Sequence, residues 1–513
     1  MAASGDTLTP GARRDGWLAL CCGLAVLAAY AASLPPSYGM WDTAELQTVA
    51  AILGIAHPPG SPAFTLLGYA VVHIFPFGEA AWRVNVMCAC AVALSVALGY
   101  AVARRFGVSR VASFVSALAF GLTLVTWRDA TRAEVLDLAL CARVAALFFG
   151  VRWFAHGKVR DLFAMSLAAG LACATHGLSL FVLPSVALLA AGRRGWRTPA
   201  ALAAAGGGFV LGLLPYAYVP LRSVWIDAHH LDPMIALGLP PGLPFWNYDD
   251  PSNWERFARF VTGADYHVRG GFAGFVTPAS YPDFASGVSR QIAAAYGYAG
   301  TMLALAGALL LVASRRLDRI AIVLAGLLPV PYTEAYPDVQ DRERYYLLTL
   351  WCAAVALAVG FDALAQLFQL RRKSLGRYAL AFALAVSFAT VGPERAQMFD
   401  QRLDRTGPDY VAHVCRVTPD DAIVMADWSY ATPLAYAGYV DGSIGRRTVV
   451  AASPRQYLAY AERWVRTRPV YFAGFDDDLR LPGWRVQRVV SDYYFVYRLT
   501  KVRTRPESEH RPE

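Results

Sequence analysis

Gly16-Trp17-Leu18-Ala19-Leu20-Cys21-Cys22-Gly23-Leu24-Ala25-Val26-Leu27-Ala28-Ala29-Tyr30, continuing to Pro35, is an apolar run of membrane-crossing length. A span takes roughly 20 residues. It is followed by Met40-Trp41-Asp42-Thr43-Ala44-Glu45 and then by His57-Pro58-Pro59-Gly60-Ser61-Pro62. Two carboxylates and a histidine therefore stand where the chain leaves the bilayer. The end of a span has no need of an acid pair, so these residues are the first candidates for chemistry.

The rest of the chain agrees with a membrane protein. Of its 513 residues, 56% are hydrophobic, and the mean hydropathy is +0.36, which excludes a soluble domain. The net charge of +9 comes from 47 basic and 38 acidic side chains. The basic excess clusters in short loops between apolar runs, which is the positive-inside pattern. No basic stripe with interleaved aromatics occurs, so nucleic acid is not an expected partner. Seven of the eight cysteines lie in apolar runs and only Cys415 lies outside them, which argues against a disulfide framework or a cysteine zinc site. Arg13-Arg14 before the first run, with no small-residue cleavage site after it, reads as an uncleaved first span.

Basic clusters set an alternating topology. With Arg13-Arg14 inside, Gly16–Pro35 runs outward and Trp82–Ala103 returns to Arg104-Arg105. Ala63–Phe75 is then a juxtamembrane or re-entrant helix of the first outer loop. The order continues through Val111–Trp127, Glu134–Ala155, the short pair Leu162–Thr175 and Gly177–Ala191, Ala200–Leu221, Gln291–Ala313, Ile320–Tyr332, Tyr345–Phe368 and Tyr378–Val391. This predicts a mainly α, polytopic protein of about eleven transmembrane helices over residues 1–392, with outer loops at 36–81 and 222–290. Residues 393–408 read as a polar linker. Residues 409–513 read as a small extracytoplasmic α/β domain, with strands at Ala422–Met425, Thr448–Ala452 and Pro469–Ala473 and helices at Pro433–Tyr439 and Pro454–Val465. No GxGxxG or Walker sequence accompanies it, and no internal repeat is found.

The outer face then collects Asp42, Glu45, His57, Arg128, Asp129, Arg132, Glu134, His176, Arg222, Glu334, Asp338, Asp341, Arg342, Glu343 and Arg344. Asp42 and Glu45 share one helix face. They read either as a capping box or as a general base with its neighbour. His57-Pro58-Pro59-Gly60 reads as a rigid turn that ends a helix, or as one that holds His57 over a phosphate. Arg128 and Arg132 before Glu134 fit interfacial pairs as well as ligand contacts. Arg143 falls near mid-span, where a charge pairs inside the bundle or lines a cavity, and Asp137 is too far along the same helix to be its partner. His176, between two half-length spans, is a helix terminus or a ligand. No His-x-x-x-His or Cys-x-x-Cys marks a protein-encaged metal. The run Asp338 to Arg344 is the densest outer charge cluster, and arginine suits phosphate clamping.

Taken together the motifs resemble a known family. Asp42-Thr43-Ala44-Glu45 with Gly54-Ile55-Ala56-His57-Pro58-Pro59-Gly60 resembles the D-S-G-E … G-x-A-H-P-P-G opening of the domain of unknown function 2723. That family includes a protein O-mannosyltransferase. Phe75-Pro76-Phe77-Gly78 with Arg83-Val84-Asn85, Glu134-Val135-Leu136, Thr175-His176 and Pro215-Tyr216 through Pro220-Leu221-Arg222 are similar to its later motifs, in order. So are Trp246 with Asp250-Pro251, and Asp341 to Tyr346. Thr43-Ala44 replaces Ser-Gly, Leu136 replaces Tyr, and Thr175 replaces Asn.

The resemblance implies a GT-C type membrane glycosyltransferase. Such an enzyme moves a sugar, mannose by the family's precedent, from a polyprenyl-phosphate donor to a protein or glycan acceptor at the extracytoplasmic face of a bacterial-type inner membrane. Asp42 and Glu45 would be catalytic. His57, Arg128, Arg132, Glu134, His176, Arg222, Arg342 and Arg344 would bind substrate or donor phosphate. No cofactor is implied with certainty, and a divalent cation is left open. The rival readings are a transporter or lipid flippase, which would account for the span count and Arg143, and a non-catalytic scaffold whose outer domain binds a partner.

Overall fold

Small residues let the apolar helices approach closely enough to form a bundle. In the computed structural model, residues 10–264, 281–335, 342–369, 399–452, 456–474, 483–490 and 495–501 are described. The chain begins with α1 (Pro10–Ala31), α2 (Trp41–Ile52), α3 (Pro62–Ile74), α4 (Ala80–Arg105) and the bent pair α5 (Arg110–Gly121) and α6 (Leu124–Ala130). It continues with α7 (Val135–His156), α8 (Val159–Cys173), a 3-10 turn at Gly177–Val182, α9 (Leu183–Ala191), α10 (Pro199–Leu213) and α11 (Pro215–Ala228). After α12 (Pro233–Ala236) and α13 (Trp254–Thr262) come α14 (Tyr281–Ala313), α15 (Leu317–Leu327), α16 (Val330–Ala335), a 3-10 turn at Arg342–Tyr346 and α17 (Leu347–Gln369).

Helices α8 and α10 meet through glycine. A Cβ on Gly170, Gly208 or Gly212 would overlap the backbone of the facing helix. Helices α14 and α17 meet in the same way at Gly307 and Gly360. Without water to drive association inside a membrane, such close backbone contact is how helices gain packing energy.

Five of the described helices are long and apolar enough to cross a membrane, or six if the pair α5–α6, bent by 63°, counts as one span. The expected eleven thus receives partial support, and Tyr378–Val391 lies outside the described residues. Helix α3, with 13 residues, is shorter than a span.

The two ends of the bundle differ in chemistry. At one end Asp15 accepts from Arg110 Nε at 2.7 Å and from Arg104 Nη2 at 3.1 Å. There too Arg193 donates to the Phe154 carbonyl at 2.6 Å and Arg319 to the Phe106 carbonyl at 3.1 Å. These are the arginines of the short basic loops, and they tie helix ends to one another. The opposite end carries α2, the start of α7 and the Arg342–Tyr346 turn.

The chain after residue 399 is fastened to that opposite end. Phe399 stacks on Trp127 with centroids 4.6 Å apart, and Gln401 donates from its backbone to the Ser33 carbonyl at 3.0 Å. Helix α18 (Thr406–Val417) leads into a five-stranded sheet of order β2-β1-β3-β5-β4. Its strands are β1 (Ile423–Ala426), β2 (Thr448–Ala451), β3 (Val470–Gly474), β4 (Trp484–Val490) and β5 (Phe495–Lys501). Strand β1 pairs in parallel with β2 (Ile423 opposite Thr448) and β3 (Ile423 opposite Val470), and β5 runs antiparallel to β3.

All four residues of β1 are buried, as a central strand covered on both faces requires. Val424 and Ala426 pack with α19 (Trp428–Tyr439), while Ile423 and Met425 pack with α20 (Tyr457–Trp464). Helix α19 lies on α2, and beside it Tyr436 stacks on Tyr38, just before α2, at 4.5 Å while its hydroxyl accepts the N–H of Ala81 in α4 at 3.0 Å. Strands β4 and β5 were not among the expected elements, because β4 carries Arg485, Gln487 and Arg488 and lacks a continuous apolar run.

The glycine contacts give a direct test. Gly212→Val would force α8 and α10 apart and is expected to cost about 1–3 kcal/mol through overpacking. Gly206→Val on the same helix, where a Cβ meets only open space, is expected to be neutral. Thermal unfolding of the two purified variants measures the difference.

Candidate active site

Helix α2 starts from Met40, which caps it without a side-chain hydrogen bond, so the capping-box reading of Asp42 and Glu45 does not describe this helix. Asp42 stands in the first turn and is partly exposed. Glu45, one turn on, is fully buried. The buried carboxylate is satisfied by the turn that follows: Glu45 Oε1 accepts the His57 backbone N–H at 3.0 Å, and Oε2 is hydrogen-bonded to His57 Nδ1. The turn is therefore clamped to α2 through its histidine. Burial pushes the His57 imidazole down, but the charge and hydrogen bond of Glu45, helped by Asp42 and Glu134, outweigh it and raise the ring to about 9.

The approach of the loop around Trp246 requires Gly54, where a Cβ would overlap the Phe245 carbonyl oxygen. Ile55 donates from its backbone to the Trp246 carbonyl at 3.1 Å, and Asp250 accepts from Ser223 at 3.2 Å. The loop's role here is to hold the His57 turn from behind. Arg83 does similar work for the Phe75–Gly78 loop, donating to the Phe77 and Gly78 carbonyls at 2.8 Å each. Asn85 accepts from Gln47 of α2 at 2.9 Å.

Arg344 joins the remaining acids. Its Nη1 donates to Glu134 Oε2 at 2.6 Å and its Nη2 to Asp42 Oδ2 at 3.2 Å. Glu134 is buried at the start of α7, and its other oxygen caps the Leu136 N–H at 3.4 Å. Arg344 Nε is buried and has no acceptor among the described residues. Beside this bridge, Arg132 pairs with Asp129 at 2.7 Å and Arg128 with Glu343 at 2.9 Å. Structure thus brings together Asp42, Glu45, His57, Glu134 and Arg344, with Arg128 and Arg132 alongside.

The other candidates are placed differently. His176 caps the 3-10 turn, its Nδ1 accepting the Leu178 N–H at 3.1 Å, and its ring lies 6.3 Å from that of Tyr345. Burial, with Arg143 and Arg344 nearby, pushes it down to about 3, so it is neutral. Arg342 pairs with Glu334 at 3.3 Å. Arg222 donates to the Leu53 carbonyl at 2.7 Å and the Ile52 carbonyl at 3.2 Å, so it finishes the C-terminus of α2. Arg143 is buried and donates Nε to the Ala139 carbonyl of its own helix at 3.1 Å. Asp338 and Asp341 lie outside the described residues. Among the described residues no group of three or more His, Cys, Asp or Glu is placed to hold a metal ion. The sequence reading missed Trp428, whose ring meets that of His57 edge-on at 5.7 Å.

Fold and site together define a multi-pass membrane protein with a carboxylate–guanidinium site at the end of the bundle remote from its basic loops. Its fold is like that of a protein of known structure. A solved structure, ArnT from Cupriavidus metallidurans bound to undecaprenyl phosphate, aligns with a TM-score of 0.55 at 13% identity, over 94% of this chain and 98% of that one. Residues 42–198 match the model of the Protein O-mannosyl-transferase TMEM260 N-terminal domain. Over 237 residues the chain is 33% identical to Protein O-mannosyl-transferase TMEM260 of Mus musculus, covering 44% of this chain and 34% of that protein. Over 173 residues it is 28% identical to its counterpart in Dictyostelium discoideum, covering 30% of this chain and 21% of that protein. The chain thus spans about a third or less of the length of these relatives. The similarity supports an O-mannosyltransferase-like family, and the matched segment carries Asp42, Glu45, His57, Glu134 and His176.

The His57–Glu45 pair has a pH signature. The folded value lies above the ordinary histidine value of 6.5, so its stabilisation is complete below 6.5 and is lost as pH rises through about 9. The melting temperature of the purified protein should exceed that of His57→Gln at neutral pH. The gap should close between about pH 8 and 10, whereas a gap constant across that range would show that the pair carries no charge.

Proposed function

We propose that this chain is an inverting glycosyltransferase that moves mannose from a polyprenyl-phosphate donor to an acceptor hydroxyl of a protein or glycan at the extracytoplasmic face of a bacterial-type inner membrane. On this reading its opening motif is that of the domain of unknown function 2723. The observation that carries the proposal is the Arg344 bridge to Asp42 and Glu134, set where the helices leave the apolar zone. The relatives' name supports mannose, and the undecaprenyl phosphate in the ArnT structure supports the donor class. The basic loops at the other end of the bundle support the outer location of the site.

The two contacts of Arg344 are unequal. Glu134 is buried and close, while Asp42 is farther and partly exposed. A donor phosphate displaces Asp42 more readily than Glu134. Once the phosphate sits on Nη2 and Nε, Asp42 is released to accept the acceptor's hydroxyl proton. The hydroxyl oxygen then attacks the anomeric carbon from the face opposite the phosphate. As the bond from that carbon to the phosphate oxygen breaks, charge builds on the leaving polyprenyl phosphate, and the fixed guanidinium stabilises that charge more in the transition state than in the ground state. Glu45 is occupied by His57 and serves to position it. Arg128 and Arg132 add positive charge along the path of the phosphate.

Turnover of polyprenyl-phosphate-mannose by the purified protein tests this. Asp42→Asn keeps the size of the side chain and removes its basicity, with an expected loss of roughly 100-fold or more. Arg344→Lys keeps the charge but loses the fork that spans two partners, and turnover should fall clearly while the protein still folds. Near-wild-type turnover in both variants would remove the bridge from the chemistry.

A further inference from the structure

We propose that the loop after β1, Asp427-Trp428-Ser429, is a hexose-binding wall of the active site supplied by the C-terminal sheet domain. The inference rests on the glycosyltransferase reading above and adds to it the part of the site that recognises sugar. Three independent observations converge on the loop.

The first is topological. β1 is flanked by β2 and β3, both parallel to it, and the chain crosses from β2 over to the far side of β1 to make β3. The carboxyl end of β1 is therefore the point where the crossover direction reverses, which is where open α/β sheets leave a crevice for ligand. The second is placement. This end of the sheet does not point to free solvent: the Trp428 ring lies edge-on to His57, 5.7 Å away, and His57 is bonded to Glu45. The loop after β1 therefore meets the same α2–His57 turn whose helix carries Asp42 of the Arg344 bridge.

The third is the state of the side chains. Trp428 Nε1 is buried with no acceptor among the described residues, and Asp427 opens α19 without capping it through its carboxylate. An indole N–H donor, an aromatic ring and, from the preceding residue, a carboxylate acceptor suit the hydroxyls and the C–H face of a pyranose ring. A polypeptide hydroxyl would need one of these groups, whereas a sugar ring uses all three. The ring comes either from the donor or from a glycan acceptor.

The experiment uses the full chain in lipid nanodiscs, comparing wild type with Trp428→Phe and Asp427→Asn. Trp428→Phe keeps a ring against His57 but removes the N–H. Calorimetric binding of methyl α-mannoside is measured first, and it requires no turnover. Both variants should bind at least about tenfold more weakly, a loss of about 1.4 kcal/mol. Steady-state kinetics with polyprenyl-phosphate-mannose and polyprenyl-phosphate-glucose follow. A fall in the mannose-to-glucose ratio of kcat/KM assigns the wall to the donor sugar. An unchanged ratio with a raised KM for methyl α-mannoside as acceptor assigns it to a glycan acceptor, and either result supports the hexose wall. A wild type that binds mannoside through Trp428 yet consumes neither donor would sink the transferase reading and leave the wall standing. Mannoside binding and donor ratio both unchanged in the variants would overturn the proposal, as would an effect confined to the KM of a polypeptide acceptor.

Discussion

One guanidinium holds the polar end of this bundle together. Arg344 reaches Asp42 and Glu134, which are 302 and 210 residues away in the chain. Those residues open α2 and α7, so the bridge fixes the start of both helices against the turn that leads into α17. Glu134 is buried and Arg344 nearly so, while Asp42 keeps partial exposure, so the Arg344–Glu134 pair is the one poorly served by water. Removing one partner of such a pair typically costs about 3–5 kcal/mol, because the other charge is left without compensation. An alanine at 344 would therefore disturb the architecture as well as the chemistry, which is why lysine is the informative replacement.

The same constraint sorts the two acids of the Asp42-Thr43-Ala44-Glu45 motif. Both lie on α2, one turn apart, yet they meet different environments. Glu45 faces inward and is used up by His57. Asp42 faces the bridge and retains some exposure, so it alone can meet a substrate. The Trp246 loop, Arg83 and Arg222 lie behind this arrangement. Arg222 and the Trp246 loop brace α2 and its following turn through backbone groups, and Arg83 does the same for the Phe75–Gly78 loop. The C-terminal sheet, docked through Tyr436 on Tyr38, covers the same helix from the outside.

Much of this was legible in the residues. Asp42, Glu45, His57, Glu134 and Arg344 stood out because charged groups at the ends of apolar runs need a reason to be there. What spacing along one chain cannot reveal is which partner each group meets. Arg222 looked like a phosphate ligand and instead satisfies carbonyls at the end of α2. Asp42 and Glu45 read as a capping box or as a general base with its neighbour, but the helix already begins at Trp41, which puts Asp42 inside the first turn rather than at the cap. Trp428 was invisible because its significance depends on a contact between two segments that composition had separated. Strands β4 and β5 escaped for a local reason: their charged residues break the apolar run, and the pairing that supports them with β3 is a long-range contact.

If Arg344 is the group that exchanges Asp42 for a lipid phosphate, binding of the leaving group alone should report it. The most direct measurement is the affinity of the purified full chain for polyprenyl phosphate, wild type against Arg344→Gln, with Asp42→Asn as the third arm. Loss of the guanidinium should weaken binding at least about tenfold. Neutralising Asp42, its competitor, should leave binding equal or tighter. Equal affinity in wild type and Arg344→Gln would contradict the account.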